Sequence, residues 1–119
     1  MVGRFSLKGS QKPIRYLNDD GVLYFVFDDV FTYIKKKDAD IDKLYDLLNS
    51  IQDKYFNTYE PDGLIYRNEA YIIGEKQEKV TCISKYGIIS IKGIYSIDEY
   101  LDINKLRTLI EYIKKYLSV

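Results

Sequence analysis

The feature that most constrains this chain is a six-residue run, Val22-Leu23-Tyr24-Phe25-Val26-Phe27, that is aliphatic or aromatic at every position. An extended strand sends successive side chains to opposite sides, so such a run needs cover on both faces. It therefore belongs to a central strand at the heart of the core. Before it stands the turn-forming tetrapeptide Asn18-Asp19-Asp20-Gly21, and before that the β-rich Ile14-Arg15-Tyr16-Leu17. Two β-like runs around a short polar turn predict a hairpin. Phe5 and Leu7 alternate upstream as a further β-like segment, and Pro13 leads into the hairpin.

The pattern then changes period. Asp28 or Asp29 is placed to cap a short helix carrying Val30, Phe31 and Ile34, which ends in Lys35, Lys36 and Lys37, where positive charge suits the helix dipole. Asp38 or Asp40 can cap a second helix, in which Ile41, Leu44, Leu48, Ile51 and Tyr55 recur at spacings of three and four. Asp42, Lys43, Asp46, Gln52, Asp53 and Lys54 form its solvated face.

Glu60-Pro61-Asp62-Gly63 punctuates the chain. Beyond it, residues 64–66 and 70–73 flank Arg67-Asn68-Glu69 as one expected hairpin, and residues 80–84 and 88–92 flank Lys85-Tyr86-Gly87 as another. Four strands are thus expected in the second half, with residues 74–79 as a polar loop. Ser96 and Glu99 have capping-box spacing, and a closing helix from about Asp102 places Ile103, Leu106, Leu109, Ile110, Ile113 and Leu117 on one face. Strands, two helices, strands and a helix, in that order, predict an α+β fold. Antiparallel hairpins would form a mostly antiparallel sheet packed against two or three helices.

At 119 residues this is one domain, long enough to hide roughly two thirds of the surface its unfolded form exposes. Apolar runs fall well short of the roughly 20 residues that cross a bilayer, and no apolar leader follows Arg4 and Lys8, so neither secretion nor a membrane partner is expected. The expected location is intracellular. Cys82 is the lone cysteine, which excludes an intramolecular disulfide and a thiolate metal cluster, and its alternating apolar surroundings mark it as a core residue.

The chain contains no histidine, so Ser-His and Cys-His mechanisms are excluded. Gly-x-x-x-x-Gly-Lys-Ser/Thr and Gly-x-Gly-x-x-Gly motifs are absent, and no cofactor is expected. Phe27-Asp28-Asp29 has the look of a Walker B segment, but without a phosphate loop a strand followed by a helix cap explains it better. Asp19 and Asp20 would lie at the opposite end of one strand from Asp28 and Asp29, too far apart to share a metal. Most of the thirteen tyrosines follow the apolar periodicity and read as core or half-buried.

Eighteen basic and eighteen acidic residues cancel, so any contact with nucleic acid must be local. The basic groups away from apolar stripes are Lys35, Lys36 and Lys37 at one helix end and Lys105, Arg107, Lys114 and Lys115 on the closing helix. These seven are the candidate DNA contacts, on charge alone. The excess of lysine over arginine, with abundant Ile and Tyr, suggests an AT-rich genome such as those of viruses, phages and mobile elements.

Residues 14–30, with Gly21-Val22-Leu23-Tyr24-Phe25-Val26-Phe27-Asp28-Asp29-Val30 at their centre, resemble the opening of Bro-N domains. There a hairpin leads through an apolar-aromatic strand into a helix beginning Asp-Val. Residues 80–91, including Ser84-Lys85-Tyr86-Gly87, are similar to that family's Ser-x-x-Gly segment, and a helix again closes the chain. Leu23-Tyr24 stands where the family often has tryptophan, and residues 35–79 show no match. The resemblance implies a viral or phage DNA-binding module and carries over no site residue.

Two functions follow as expectations. One is a non-enzymatic DNA-binding regulator encoded by a virus or mobile element, acting in the host cytoplasm if viral. The other is a protein-interaction module or inhibitor of a host factor, with a homodimer as one expected form, which small size, neutral charge and plentiful tyrosine would suit. A carboxylate-metal or tyrosine-dependent nuclease ranks behind both.

Overall fold

A computed structural model describes residues 2–19, 21–55, 65–73, 76–91 and 95–117. The fold is α+β. Strands β1 (Val2–Phe5), β2 (Ile14–Asp19), β3 (Val22–Val26), β4 (Ile65–Ile73) and β5 (Lys76–Ser84) form one sheet in the order β1-β2-β3-β5-β4, antiparallel throughout. Helices α1 (Phe27–Ile34) and α2 (Ile41–Tyr55) separate β3 from β4. After β5 come α3 (Lys85–Ile91), the single turn α4 (Tyr95–Asp98) and α5 (Ile103–Tyr116).

The first hairpin forms as its residues dictate. Asp19 pairs with Val22, and Gly21 takes φ +86°, a conformation that a residue without Cβ adopts at little cost. The Gly21 amide donates to the Asn18 side-chain oxygen at 3.0 Å. β3 lies between β2 and β5 and is buried on both faces. Leu23 and Phe25 face the main core with Phe31, Ile34, Leu44, Leu48 and the stripe of α5, whereas Tyr24 and Val26 pack with Cys82. On the edge strand, Gly3 opposes Tyr16 and lets its ring lie across the backbone: a Cβ at Gly3 would sit 2.4 Å from the ring.

Helix starts differ in detail from the expected caps. α1 begins at Phe27 without a side-chain cap, so Asp28 and Asp29 lie in its first turn, where negative charge suits the dipole. It ends at Ile34, and Lys35, Lys36 and Lys37 fall beyond its last turn. There Lys35 bridges to Leu101, the Lys36 amide donates to the Tyr100 carbonyl at 2.7 Å and the Asp102 amide to the Ile34 carbonyl at 2.8 Å. Asp40 caps α2 by accepting from the Asp42 amide at 2.8 Å, and Leu44 and Leu48 are buried as the stripe requires. The side chains of Ile51 and Tyr55 lie outside the described residues, as do residues 60–64.

The second half departs most from expectation. β4 runs unbroken through Arg67-Asn68-Glu69, and what looked like a turn is a register shift: Asn68 pairs with Val80 and Tyr71 with Glu78. One extra residue on β4 is accommodated as a bulge. The expected polar loop at residues 74–79 is largely strand, since β5 starts at Lys76.

The expected hairpin through Lys85-Tyr86-Gly87 is replaced by α3, and two strands, not four, occupy the described part of this half. The Ser84 hydroxyl accepts from the Gly87 amide at 2.9 Å, an N-cap at the point where the strand stops. Ile88 and Ile91, three apart, are fully buried on one side of the new helix. Helical spacing thus wins over the β preference of a run of isoleucines, because the core accepts one face of the segment. Ser96 lies inside α4, and Asp102 caps α5, accepting from the Asn104 and Lys105 amides. Among the described residues, no helix is long and apolar enough to cross a membrane.

Candidate functional site

The closing helix carries most of the expected contacts. Leu106, Leu109 and Ile113 are completely buried, with Ile103, Ile110 and Leu117 half-buried beside them. That stripe and the Asp102 cap fix the helix on the core and leave its opposite face in solvent. Asn104, Arg107, Thr108, Glu111, Lys114 and Lys115 are exposed there. Lys114 and Lys115 stand in the last turn, where cations complement the dipole.

The seven candidates do not form one patch. Arg107, Lys114 and Lys115 share the exposed face of α5. Lys105 is about 200° around the helix from Arg107 and reaches the Tyr33 ring instead, with its Nζ 5.5 Å from the ring centroid. Lys36 and Lys37 are exposed beside the start of α5, held there by the backbone bonds from Lys36 to Tyr100 and from Asp102 to Ile34. Lys35 is half-buried, and its Nζ donates to the Lys37 carbonyl at 3.3 Å. Asp38 and Asp40 follow closely, so this end of α5 is less positive than the other.

A crevice of about 300 Å³ between α3 and α5 is lined by Ile89, Arg107, Ile110, Glu111 and Lys114. Lys115 Nζ lies 5.1 Å from the centroid of the Tyr116 ring. Tyr116 is 61% exposed and ends an aromatic series that starts in the core: Phe25 meets Phe5 edge-on, Phe5 stacks on Tyr112 at 4.5 Å, and Tyr112 contacts Tyr116 at 4.9 Å. Among the described residues, Tyr86, 52% exposed, is the other tyrosine that departs from the expected burial.

A second cluster was not visible in the sequence. Asp29 has no exposed side-chain surface and takes three hydrogen bonds from Arg15, from the backbone amide at 3.1 Å, Nε at 2.7 Å and Nη2 at 3.0 Å. Lys12 Nζ lies 3.2 Å from Oδ1, the oxygen that also accepts from Arg15 Nη2, and pairs with Asp28 as well. Burial pushes the Asp29 carboxyl up, but the bonds from Arg15 and Lys12 outweigh it and hold the carboxyl below its ordinary value. Partial burial pulls the Lys12 ammonium down, and the two carboxylates overcome that and raise it.

The cluster borders a cleft of about 350 Å³ lined by Arg15, Val26, Phe27, Asp28, Ile41, Asp42, Tyr45 and Thr81. Asp29 is committed to its donors and is placed to join β2 to α1, not to move a proton. No spacing rule links residues 14 apart, so only the hairpin register and the helix phase bring Arg15 and Asp29 together.

Cys82 is fully buried beside Tyr24 and Val26. Among the described residues no group of three His, Cys, Asp or Glu side chains could hold a metal ion, and the Asp19 side chain and Asp20 lie outside them. No protein-family model, curated protein or solved structure matches this chain.

Proposed function

We propose that this chain is a non-enzymatic DNA-binding regulator encoded by a virus or mobile element, with the exposed face of α5 as its contact surface. The observation that carries this reading is the charge on that face. Arg107, Lys114 and Lys115 stand in solvent with Glu111 as the one acid among them, on a helix whose other face is locked into the core. Cations on a rigid element can meet phosphates even though the whole chain is neutral.

The reading also draws on the resemblance of residues 14–30 to the opening of Bro-N domains. A hairpin passes through an apolar strand into a helix with Asp28, Asp29 and Val30 in its opening turn. Action on DNA places the protein inside the cell, in the host cytoplasm if it is viral.

The test is DNA affinity against salt for the full chain and for Lys114→Glu with Lys115→Glu. Weaker binding with a shallower salt dependence supports the surface, and an unchanged affinity and slope rejects it.

A second reading, a protein-interaction module or inhibitor of a host factor, draws on exposed Tyr86 and Tyr116, since tyrosine is enriched at interfaces. It expects self-association or partner capture that Tyr116→Ser weakens. A monomer at high concentration whose partner binding ignores that substitution counts against it.

A further inference from the structure

On the reading that α5 meets DNA, we infer that α5 is a major-groove recognition helix in which Asn104, Arg107 and Glu111 face base edges while Lys114 and Lys115 hold phosphates. The first three are exposed and occupy positions i, i+3 and i+7. At about 100° per residue they lie within about 60° of one another around the axis and climb about 10 Å. That rise equals about three base-pair steps of duplex DNA.

Their chemistry is that of base readers. A side-chain amide pairs with N6 and N7 of adenine, a guanidinium with O6 and N7 of guanine, and a carboxylate accepts from N4 of cytosine. Thr108 shares the face, but its hydroxyl donates to the Asn104 carbonyl at 3.0 Å and is assigned no base.

Lys114 and Lys115 follow one turn on and flank this stripe on its two sides, the placement expected of phosphate anchors. Near the other end of the helix stand Lys36 and Lys37, beside the cap at Asp102. The twelve residue steps from Asp102 to Lys114 rise about 18 Å, more than the width of a major groove of about 12 Å, so lysines near the two ends are far enough apart to meet phosphates on opposite sides of it.

Charge complementarity selects the occupant. Three cations surround one carboxylate on this face. An acidic peptide would meet Glu111 in the middle of its footprint, whereas an amino group of cytosine gives that carboxylate a partner. The buried Leu106, Leu109 and Ile113 keep the helix from shifting, as a base-reading element requires.

Selection from a library of random-sequence DNA duplexes tests the assignment, using the full chain, Asn104→Ala, Arg107→Ala and the double variant Lys114→Ala with Lys115→Ala. All four positions are exposed, and thermal melts verify that each variant folds. The unsubstituted chain is expected to select a short motif. Arg107→Ala should lose the preference for one guanine, with roughly tenfold to hundredfold weaker binding to the selected duplex and an unchanged salt slope. Asn104→Ala should relax a neighbouring position. The lysine variant should keep the motif while binding every duplex more weakly.

If Arg107→Ala and Asn104→Ala select the same motif with the same affinity, or if the unsubstituted chain binds duplexes without selecting any, the base-reading assignment is overturned and the DNA-binding reading stands. If the unsubstituted chain binds no duplex even at low salt, both fall.

Discussion

Asp29 joins the second strand to the first helix through three hydrogen bonds from Arg15 and keeps none of its side chain in solvent. Removing one partner of such a pair strands the other, so Asp29→Asn is expected to cost about 2 to 4 kcal/mol at neutral pH, measured by urea unfolding. That is below the full range for a buried pair because Arg15 keeps 28% of its side chain in solvent. The pH dependence has a definite sign. The folded carboxyl titrates below its ordinary value of 3.8, so its contribution is complete above 3.8 and is lost as pH falls through the lower folded value. The gap between the chain and Asp29→Asn should therefore narrow in acid; a gap that stays constant down to about pH 2 would contradict the arrangement. Gly3 gives a second test at this scale. A methyl group there meets the Tyr16 ring, itself tilted against Phe5 and Phe25, so Gly3→Ala is expected to lower stability by about 1 to 3 kcal/mol. Pairing it with Tyr16→Leu should recover part of the loss in thermal melts.

Among the elements, α3 shows how a local signal can be read in two ways. Residues 80–91 alternate in the manner of a hairpin, with Gly87 at the point of an expected turn. In the structure Ser84 ends the strand and caps the helix, and the alternation gives way to the three-residue spacing of Ile88 and Ile91. The Ser84 hydroxyl is fully buried, so Ser84→Ala leaves the Gly87 amide without its acceptor. A loss of about 1 to 2 kcal/mol is expected by denaturant unfolding, larger than for Asp102→Ala, whose half-buried site lets water replace the cap. Equal losses would show that α3 is held by its isoleucines alone. The bulge in β4 has the same lesson: Arg67-Asn68-Glu69 is polar and turn-like, yet pairing with β5 on both sides carries the strand straight through.

For the whole molecule, neutrality limits how DNA can be held. With Arg107 assigned to a base edge, the proposed surface offers Lys114 and Lys115 with Lys36 and Lys37 at its flank, so two to four phosphates are within its means. At about 0.9 per phosphate, the logarithm of the binding constant should fall with the logarithm of salt at a slope of about −2 to −4. Lys114→Ala with Lys115→Ala should make it shallower by about 1.8. A slope much steeper than about −4 would place the contacts on other parts of the chain. Because the exposed face of α5 contributes nothing to the core, these substitutions should leave the melting temperature within a few degrees of the parent.

The sequence by itself determined the α+β class, the first hairpin, the central place of β3 and the apolar stripe and starting point of α5. Each of these rests on interactions a few residues long: alternation over residues 22–27, turn chemistry at Asn18 and Gly21, and the Asp102 cap followed by spacings of three and four. Most of the candidate basic residues were legible in the same way, since a position outside an apolar stripe must face solvent or its edge. Tertiary structure decided what sequence spacing leaves open. It turned Lys105 toward Tyr33, carried Lys36 and Lys37 to the start of α5, joined Arg15 to Asp29 and made a helix of residues 85–91. These outcomes depend on contacts between segments far apart in the chain, where the free energy of filling one core outweighs the preference of any short run of residues.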